Sequence, residues 1–378
     1  MRALAEQIRR RGPIPFSAFV DAALYDPAEG FFARGRGAGR AASDFVTSPE
    51  VGPLFGACVA RALDGWWEDA GQPDPFVFVE VGAGNGRLAR EVLRGEPRCA
   101  PALRYVLVER SAALRDAQRE HLTVEPYSEA LGPAVPGPDG EVAQPVPGTG
   151  PIVTALDELP ATAFTGVVLA NELLDNLPFD LAERTDAGWD EIRVASTDGG
   201  AFAPVRVPAN EELLAWLDGV DVQPGTRVPV QREVDAWLGR CAAALRRGVL
   251  VVIDYTVPVA DLPARADGWL RTYREHGRGE DPLTAPGTQD ITADVLLEPL
   301  RRAARRVGFT LAEERAQAEW LRGVGIDDLV AEGRAAWEAG ASRGDLAALA
   351  GRSRTTEAAA LTDPAGLGAH TVVVLTRP

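Results

Sequence analysis

One stretch of sequence decides the fold of this chain: FVFVEVGAGNG, residues 76–86. Its first half is almost wholly apolar, which is typical of a strand buried on both faces in a parallel sheet. In its second half glycines alternate with other residues, so the backbone can take positive φ angles and approach a ligand closely. The helix expected next would offer free amide donors at its start. The stretch therefore predicts a buried strand that leads into a ligand-binding turn.

The turn suits S-adenosyl-L-methionine better than a nicotinamide dinucleotide. A dinucleotide fingerprint has glycine or alanine three positions after its second glycine, but Arg87 stands there. Glu80 lies two residues before Gly82, where a carboxylate can bind the ammonium group of a methionine moiety and would repel a pyrophosphate. Glu109 follows the next apolar run, where an acid can accept both ribose hydroxyls. The predicted cofactor ligands are Glu80, Gly82, Gly84, Gly86 and Glu109.

Strands and helices alternate beyond this turn. Short apolar runs predict buried strands, and the segments between them predict helices. The expected strands are at 103–108, 167–170, 249–253, 309–315 and 371–376, and the expected helices are at 86–94, 111–121 and 231–246. This order predicts an α/β, doubly wound arrangement with a mostly parallel sheet.

Other segments are expected to add to this basic fold. An amphipathic N-terminal helix is indicated by the spacing of Phe16, Phe19, Val20, Ala23 and Leu24, and a second helix is expected at 53–69. We expect an N-terminal helical cap with a cofactor-covering loop over 1–70. The core would comprise 71–257 and 291–378, with a hairpin insertion at about 180–208, and a substrate-side connection would span 258–290. Loops are expected at 131–151 and at 33–43, the second of them closing over ligand.

Composition excludes several classes of partner. The formal net charge is −16 and the sequence contains no lysine, so nucleic acid is a poor partner. We expect no membrane span, because no apolar run approaches the ~20 residues that a bilayer requires. The three histidines and three cysteines lack metal-ligand spacing, so no metal is expected. A charged N-terminus without a secretory apolar region predicts a cytoplasmic protein. The oligomeric state stays open, with a homodimer as one option.

Several separate segments resemble the MidA-like methyltransferases. These segments are ALYDP with GFF at 23–32, DFVTSPE at 44–50, the glycine turn, ANELLDNLP at 170–178, Asp254-Tyr255 and APGTQDITAD at 285–294. The resemblance implies a Rossmann-like class I methyltransferase fold with a mostly parallel seven-stranded sheet, and S-adenosyl-L-methionine as methyl donor. One mitochondrial member assists the assembly of respiratory complex I and dimethylates a protein arginine. The chain departs from the family at Phe31-Phe32, where members often have tyrosines, and over the alanine-rich segment 331–368.

Polar residues at the expected strand ends, and one histidine on the connection at 258–290, are the candidate catalytic groups. For an arginine acceptor, carboxylates would hold the guanidinium and accept the proton that it loses. A phenol or carboxylate acceptor would instead favour a histidine base. The candidates are Glu172, Asp175, Asp254, Tyr255 and His276. Thr47, Ser48, Pro49, Asn171 and Glu172 are expected beside the cofactor, although a helix N-cap role would equally explain the turn at Ser48 and the position of Asn171.

Three functions fit this sequence. The first is methylation of a nitrogen in a protein or peptide, with arginine as the favoured acceptor. The second is O- or N-methylation of a small molecule or peptide in a specialised pathway. The third is a non-catalytic assembly factor that keeps the fold, against which the complete set of glycines and acids at the turn argues.

Overall fold

The computed structural model describes residues 1–34, 47–132, 146–265, 267–274, 277–340 and 346–378. The helices are α1 Arg2–Arg11, α2 Phe16–Tyr25, α3 Ser48–Val51, α4 Pro53–Asp69, α5 Arg87–Arg94, α6 Ala112–Gln118, α7 Tyr127–Leu131, α8 Glu211–Leu217, α9 Arg232–Ala244, α10 Leu262–Arg265, α11 Leu297–Arg306, α12 Gln317–Gly323, α13 Ile326–Gly340 and α14 Leu346–Leu361. The strands are β1 Ile14–Pro15, β2 Phe76–Val81, β3 Leu103–Val108, β4 Ile152–Leu156, β5 Phe164–Asn171, β6 Asp180–Thr185, β7 Gly188–Ser196, β8 Phe202–Pro208, β9 Arg227–Val230, β10 Leu245–Asp254, β11 Thr256–Val257, β12 Leu270–Arg274, β13 Gly277–Arg278, β14 Asp290–Ala293, β15 Val295–Leu296, β16 Thr310–Ala316 and β17 Thr371–Arg377.

These elements belong to two compact units. The N-terminal unit comprises Met1–Phe45, Glu172–Arg240 and Asp254–Val307. The sheet unit comprises Val46–Asn171, Cys241–Ile253 and Gly308–Pro378. The chain thus passes from one unit to the other at the ends of β5 and β10. The domain boundaries expected from the sequence lie elsewhere and stay a prediction.

The sheet unit is built on one seven-stranded sheet. Its strand order is β16-β17-β10-β5-β2-β3-β4. The neighbouring strands from β10 to β4 pair in parallel, and β16 pairs with β17 antiparallel. Strand β2 is buried at every position, which explains its unbroken apolar run. The mostly parallel, Rossmann-like fold expected from the sequence is confirmed.

Two glycines let the central strands of this sheet approach one another. A Cβ atom on Gly166 would lie 1.9 Å from the carbonyl oxygen of Val77. A Cβ atom on Gly248 would lie 1.9 Å from the carbonyl oxygen of Gly166. Both distances are far below any permitted contact, so only glycine fits at these two positions in β5 and β10.

The N-terminal unit packs helices against antiparallel strands. One sheet has the order β1-β7-β6-β9 with β8 paired to β7, and a smaller sheet has the order β13-β12-β14. The apolar face of α2 is wholly buried in the core of this unit, as its spacing predicts. No described helix is both long and apolar enough to cross a bilayer.

The structure corrects several details of the sequence interpretation. The connection at 258–290 carries regular structure, because α10, β12 and β13 lie within it. Strand β4 follows the Pro/Gly-rich stretch directly and was not expected, since its short run sits at the sheet edge. Helices α13 and α14 account for most of the alanine-rich segment. The loop expected at 33–43 lies almost entirely outside the described residues, as does most of the loop expected at 131–151.

We expect Gly248→Ala to destabilise the chain by about 3 kcal/mol or more, because the new methyl group would collide with a backbone oxygen that cannot move without breaking the sheet. Gly239 provides the matched control. It lies within α9 with nothing within 4 Å of its Cβ position, so Gly239→Ala should raise stability by about 0.5–1 kcal/mol. Urea unfolding of both variants checks this, and equal effects would contradict the packing described for β10.

Candidate cofactor site and acidic cluster

The glycine turn forms the tip of β2. Gly82, Gly84 and Gly86 have φ angles of 75°, 53° and 78°, a region that favours glycine. The amides of Gly82 and Ala83 both donate to the carbonyl oxygen of Val108, at 2.8 and 3.1 Å. A Cβ atom on Gly84 would have nothing within 4 Å. The turn is therefore fixed to β3 on one side and open at its centre, as a ligand cradle requires.

Glu109 ties this turn to the neighbouring strand. Its Oε2 accepts a hydrogen bond from the amide of Gly84 at 3.0 Å, and its Oε1 accepts one from the amide of Ser111 at 2.7 Å. Burial raises the pKa of Glu109, while these two amides and Arg115 oppose the rise. Each carboxylate oxygen can accept a second bond. Glu109 is thus held in a fixed position with acceptor capacity to spare.

Glu80 is a buried carboxyl group that lacks a cationic neighbour among the described residues. It is 5% exposed, and its Oε2 accepts a hydrogen bond from the hydroxyl of Tyr105 at 2.7 Å. Burial raises the pKa of Glu80 to about 8; the bond from Tyr105 lowers it, and the charge of Glu109 adds to the rise. A cationic ligand would therefore favour the ionised form of this group.

The segment that contains Thr47, Ser48 and Pro49 is a short capped helix. Thr47 is the N-cap of α3 in a capping box: its side chain accepts from the amide of Glu50, and Glu50 accepts from the amide of Thr47 at 3.1 Å. The hydroxyl of Ser48 is fully buried and donates to Oε1 of Gln317 at 3.1 Å. The capping interpretation is thus correct for this turn. It does not apply to Asn171, which ends β5.

Four of the five candidate catalytic residues come together in the N-terminal unit. Glu172 directly follows β5, and Asp254 is the last residue of β10, whose Ile253 pairs with Asn171. The charges of Asp175 and Glu172 act on Asp254, and both also act on Tyr255. Together with Arg271 and Asp294, these four residues make up what we name the acidic cluster. His276 lies outside the described residues.

Asp254 organises the backbone of this cluster. Its Oδ2 accepts hydrogen bonds from the amides of Leu173 and Leu174 at 3.2 and 2.8 Å, and its Oδ1 accepts one from the amide of Tyr255 at 2.8 Å. Asp254 is fully buried. Burial raises its pKa well above the usual range, and the charges of Asp175 and Glu172 add to the rise. Its main role is therefore to hold the chain that carries Glu172.

Glu172 and Asp175 have the features of reactive groups. Glu172 has a φ of 50°, which a residue with a Cβ atom seldom adopts and which costs of order 1 kcal/mol. Asp175 is 4% exposed, and its Oδ1 finds no hydrogen-bond partner in the described part of the chain. Burial raises the pKa of Asp175 to about 7, with Arg271 lowering it and Asp294 raising it. A carboxyl group with this pKa can exchange a proton at neutral pH.

The sequence did not single out Arg271 or assign a role to Asp294. The guanidinium of Arg271 lies 2.5 Å from Oδ1 of Asp294 and 4.7 Å from the centre of the Tyr255 ring. Arg265 pairs with the other oxygen of Asp294 at 2.6 Å. Arg271 lies in β12 and Asp294 directly follows β14, so the pairing of these two strands brings the residues together. A polar segment gives no apolar pattern from which this pairing could be predicted. Asp294 belongs to one of the segments that carry the family resemblance.

A glycine turn after a central parallel strand, with an acid at the tip of the neighbouring strand, is the arrangement by which a class I methyltransferase holds its cofactor. A family described as S-adenosyl-L-methionine-dependent methyltransferases matches residues 58–314 of this chain. The chain therefore belongs to this family. Its cofactor is S-adenosyl-L-methionine, as the sequence predicts, and its fold and catalytic class are those of a methyltransferase.

Curated relatives support the same assignment. The chain is 30% identical over 325 residues to the Drosophila melanogaster protein arginine methyltransferase NDUFAF7 homolog, mitochondrial, a match that covers 81% of this chain and 71% of the relative. It is 29% identical over 343 residues to the Homo sapiens protein arginine methyltransferase NDUFAF7, mitochondrial, covering 86% and 73%. The resemblance to the MidA-like methyltransferases is confirmed.

Two solved structures support the assignment to this methyltransferase family. A protein from Burkholderia thailandensis, described as a likely methyl transferase and bound to S-adenosyl-homocysteine, is 30% identical, with a TM-score of 0.81, and the match covers 99% of this chain and 91% of that one. A native structure from the same organism matches with a TM-score of 0.79 at 30% identity, covering 99% and 90%. The fold of this chain is therefore that of a protein that binds the methyltransferase product.

One expectation from the sequence is contradicted. The charged N-terminus predicted a cytoplasmic protein, but the curated relatives are named mitochondrial. The absence of a secretory apolar region near Met1 does not distinguish the cytoplasm from an organelle, which is why that inference fails.

We expect Glu80→Gln to weaken the binding of S-adenosyl-homocysteine by about tenfold, because the amide cannot supply the charge that an ammonium group needs. The same change should remove a pH dependence of stability. The folded-state pKa of Glu80 is raised to about 8 from 4.5, so its contribution is complete below about pH 4.5 and is lost as the pH rises through 8.

Calorimetric titration and thermal unfolding from pH 5 to 9 without ligand check both parts. The wild type should lose more stability than Glu80→Gln over this range. Glu120→Gln, at an exposed position of the same unit, should match the wild type in both measurements. A Glu80→Gln variant that binds like the wild type would refute the role given to this carboxyl group.

Proposed function

We propose that this chain transfers methyl groups to an arginine nitrogen of a protein or peptide. The observation that carries the proposal is the buried carboxyl group of Asp175, whose Oδ1 has no partner among the described residues, beside Glu172 and Asp254. A guanidinium group is planar and presents several N–H donors, which suits such a set of carboxylates. The names of the relatives, which are protein arginine methyltransferases, favour the same acceptor. The net charge of −16 favours a cationic polypeptide over nucleic acid.

The residues of the glycine turn fit the cofactor. We propose that the open position at Gly84 admits the ligand, that Glu109 accepts from the ribose hydroxyls, and that Glu80 faces the ammonium group. Thr47 and Ser48, whose side chains are buried, would contribute together with Pro49 through the position of their turn. The proposed cofactor-binding set is Thr47, Ser48, Pro49, Glu80, Gly82, Gly84, Gly86, Glu109, Asn171 and Glu172.

The acidic cluster would orient the acceptor and take up its proton. Bound S-adenosyl-L-methionine supplies an electrophilic methyl group, so the protein's main tasks are alignment and exclusion of water. Asp175 and Glu172 would hold the guanidinium through its N–H donors. Because the pKa of Asp175 is raised to about 7, this group can accept the proton lost by the methylated guanidinium.

Tyr255 has a different role in this proposal. Burial raises the pKa of its phenol well above the ordinary value, and the charges of Glu172 and Asp175 add to that rise. The phenol therefore stays protonated and cannot act as a base. Arg271 covers the ring face at 4.7 Å, so Tyr255 would serve as a wall that fixes the position of Arg271. His276 stays a candidate from the sequence alone.

We expect Asp175→Asn to lower kcat by about a hundredfold or more, because the base is lost, while binding of S-adenosyl-homocysteine changes less than twofold. Wild-type kcat/KM should rise with pH through about 7, since the carboxyl group of the free protein must be ionised to bind the guanidinium and accept its proton, and the variant should lose this rise. The assay is mass spectrometry of arginine-, lysine- and histidine-containing test peptides incubated with S-adenosyl-L-methionine.

Asp221→Asn provides the control, since Asp221 is an exposed acid of the same unit, and it should behave as the wild type. Methyl groups found on lysine or histidine alone would refute an arginine acceptor. Cofactor binding without methylation of any peptide, together with methylation of added small molecules, would establish the small-molecule alternative instead.

A further inference from the structure

The alanine-rich C-terminal segment contacts the turn that precedes α4. This segment includes α14, and the proposed function gives it no role. Its residue Glu357 is 6% exposed in the sheet unit. The Oε2 atom of Glu357 accepts a hydrogen bond from the amide of Leu54, in the first turn of α4, at 2.9 Å. A residue more than 300 positions away in the sequence therefore caps the helix that follows the Thr47–Pro49 turn.

The fit around this carboxylate is tight. A Cβ atom on Gly52 would lie 2.3 Å from the carboxyl carbon of Glu357, so only glycine allows the approach. The Oε1 atom of Glu357 accepts from the hydroxyl of Ser353 at 2.5 Å. The carboxylate is thus fixed on α14 and fixes the link between α3 and α4 in turn.

A second contact holds the other end of the same turn. Gln317, at the start of α12, is fully buried and accepts a hydrogen bond from the hydroxyl of Ser48 at 3.1 Å. Gln317 is itself held by two hydrogen bonds. Its side-chain amide donates to the carbonyl oxygen of Leu361 at 3.2 Å, and its backbone amide donates to the carbonyl oxygen of His370 at 2.7 Å. The position of Ser48 therefore depends on residues from the last quarter of the chain.

The turn also touches the glycine turn. Arg87, the first residue of α5, donates from Nη2 to the carbonyl oxygen of Glu50 at 3.4 Å. Burial raises the pKa of Glu50, while the amide of Thr47 and the charge of Arg87 oppose the rise. A shift of α3 would therefore be passed through Arg87 to the start of α5, directly after the glycine turn.

We propose that Glu357 and Gln317 are positioning residues of the cofactor site, which hold the Thr47–Pro49 turn against the glycine turn from the C-terminal end of the chain. The inference rests on the proposed cofactor role of that turn. It gives the alanine-rich segment a function in cofactor binding: without the two polar anchors, α3 keeps its own capping box but loses its fixed place.

The test compares Glu357→Ala, Glu357→Gln and Gln317→Ala with the wild type. Each is titrated with S-adenosyl-homocysteine by calorimetry, where the stoichiometry reports the folded fraction, and each is assayed for KM of S-adenosyl-L-methionine and for kcat. We expect the two alanine variants to raise Kd and KM by about tenfold, because each removes a hydrogen bond that holds the Thr47–Pro49 turn or the link after it in place, with kcat nearly unchanged at saturating cofactor. Glu357→Gln should restore both values to within about twofold, because its amide oxygen can still accept from Leu54.

Two controls separate the possible failures. Glu338→Ala removes an exposed acid of α13 and should leave Kd unchanged. Thr47→Ala tests the turn itself: if it also leaves Kd unchanged, the cofactor role of the turn is refuted and the inference falls with it. If Thr47→Ala weakens binding but Glu357→Ala only lowers the unfolding temperature, the anchors are purely structural and the proposal is overturned.

Discussion

The cofactor site depends on one interaction: the carboxylate of Glu109 accepts hydrogen bonds from the amides of Gly84 and Ser111. This pair of hydrogen bonds joins the tip of β2 to the residues after β3, so the glycine turn cannot move independently of the sheet. The bonds from Gly82 and Ala83 to Val108 act in the same place. Glycines alone would leave the turn flexible; the acid makes it a rigid cradle and keeps acceptor capacity for a ligand.

The site contains buried carboxyl groups, which cost free energy in the ligand-free protein. Glu80 and Asp175 lie in the interior without enough cationic partners among the described residues, and burial raises the pKa of both. Such groups are costly unless something compensates their charge. A cationic cofactor and a cationic acceptor would each do so. The same acids that weaken the ligand-free protein above neutral pH would therefore contribute binding energy once the ligands are present.

The sequence predicted the elements and residues that local hydrophobic patterns and residue chemistry reveal. It did not predict contacts that arise only when distant strands and helices pack together. The buried strands, the glycine turn, Glu80 and Glu109 follow from apolar runs and residue chemistry. Strand β4 was not predicted because five residues beside a loop carry little hydrophobic pattern. Helices α13 and α14 were not predicted because an alanine-rich sequence gives no clear apolar stripe. Tyr105, Arg271 and Glu357 reach their partners only through strand register or helix packing, so their roles needed coordinates. The cytoplasmic location was inferred from a missing signal and was wrong.

The central claim is that the glycine turn and Glu109 hold the cofactor. A crystal structure of this chain with S-adenosyl-homocysteine tests it most directly. We predict ribose hydroxyls about 3 Å from the Glu109 carboxylate, the backbone of Gly82 and Gly84 along the ligand, and the ammonium group on the side of Glu80. A ligand bound elsewhere, or one whose ribose does not meet Glu109, would contradict the account.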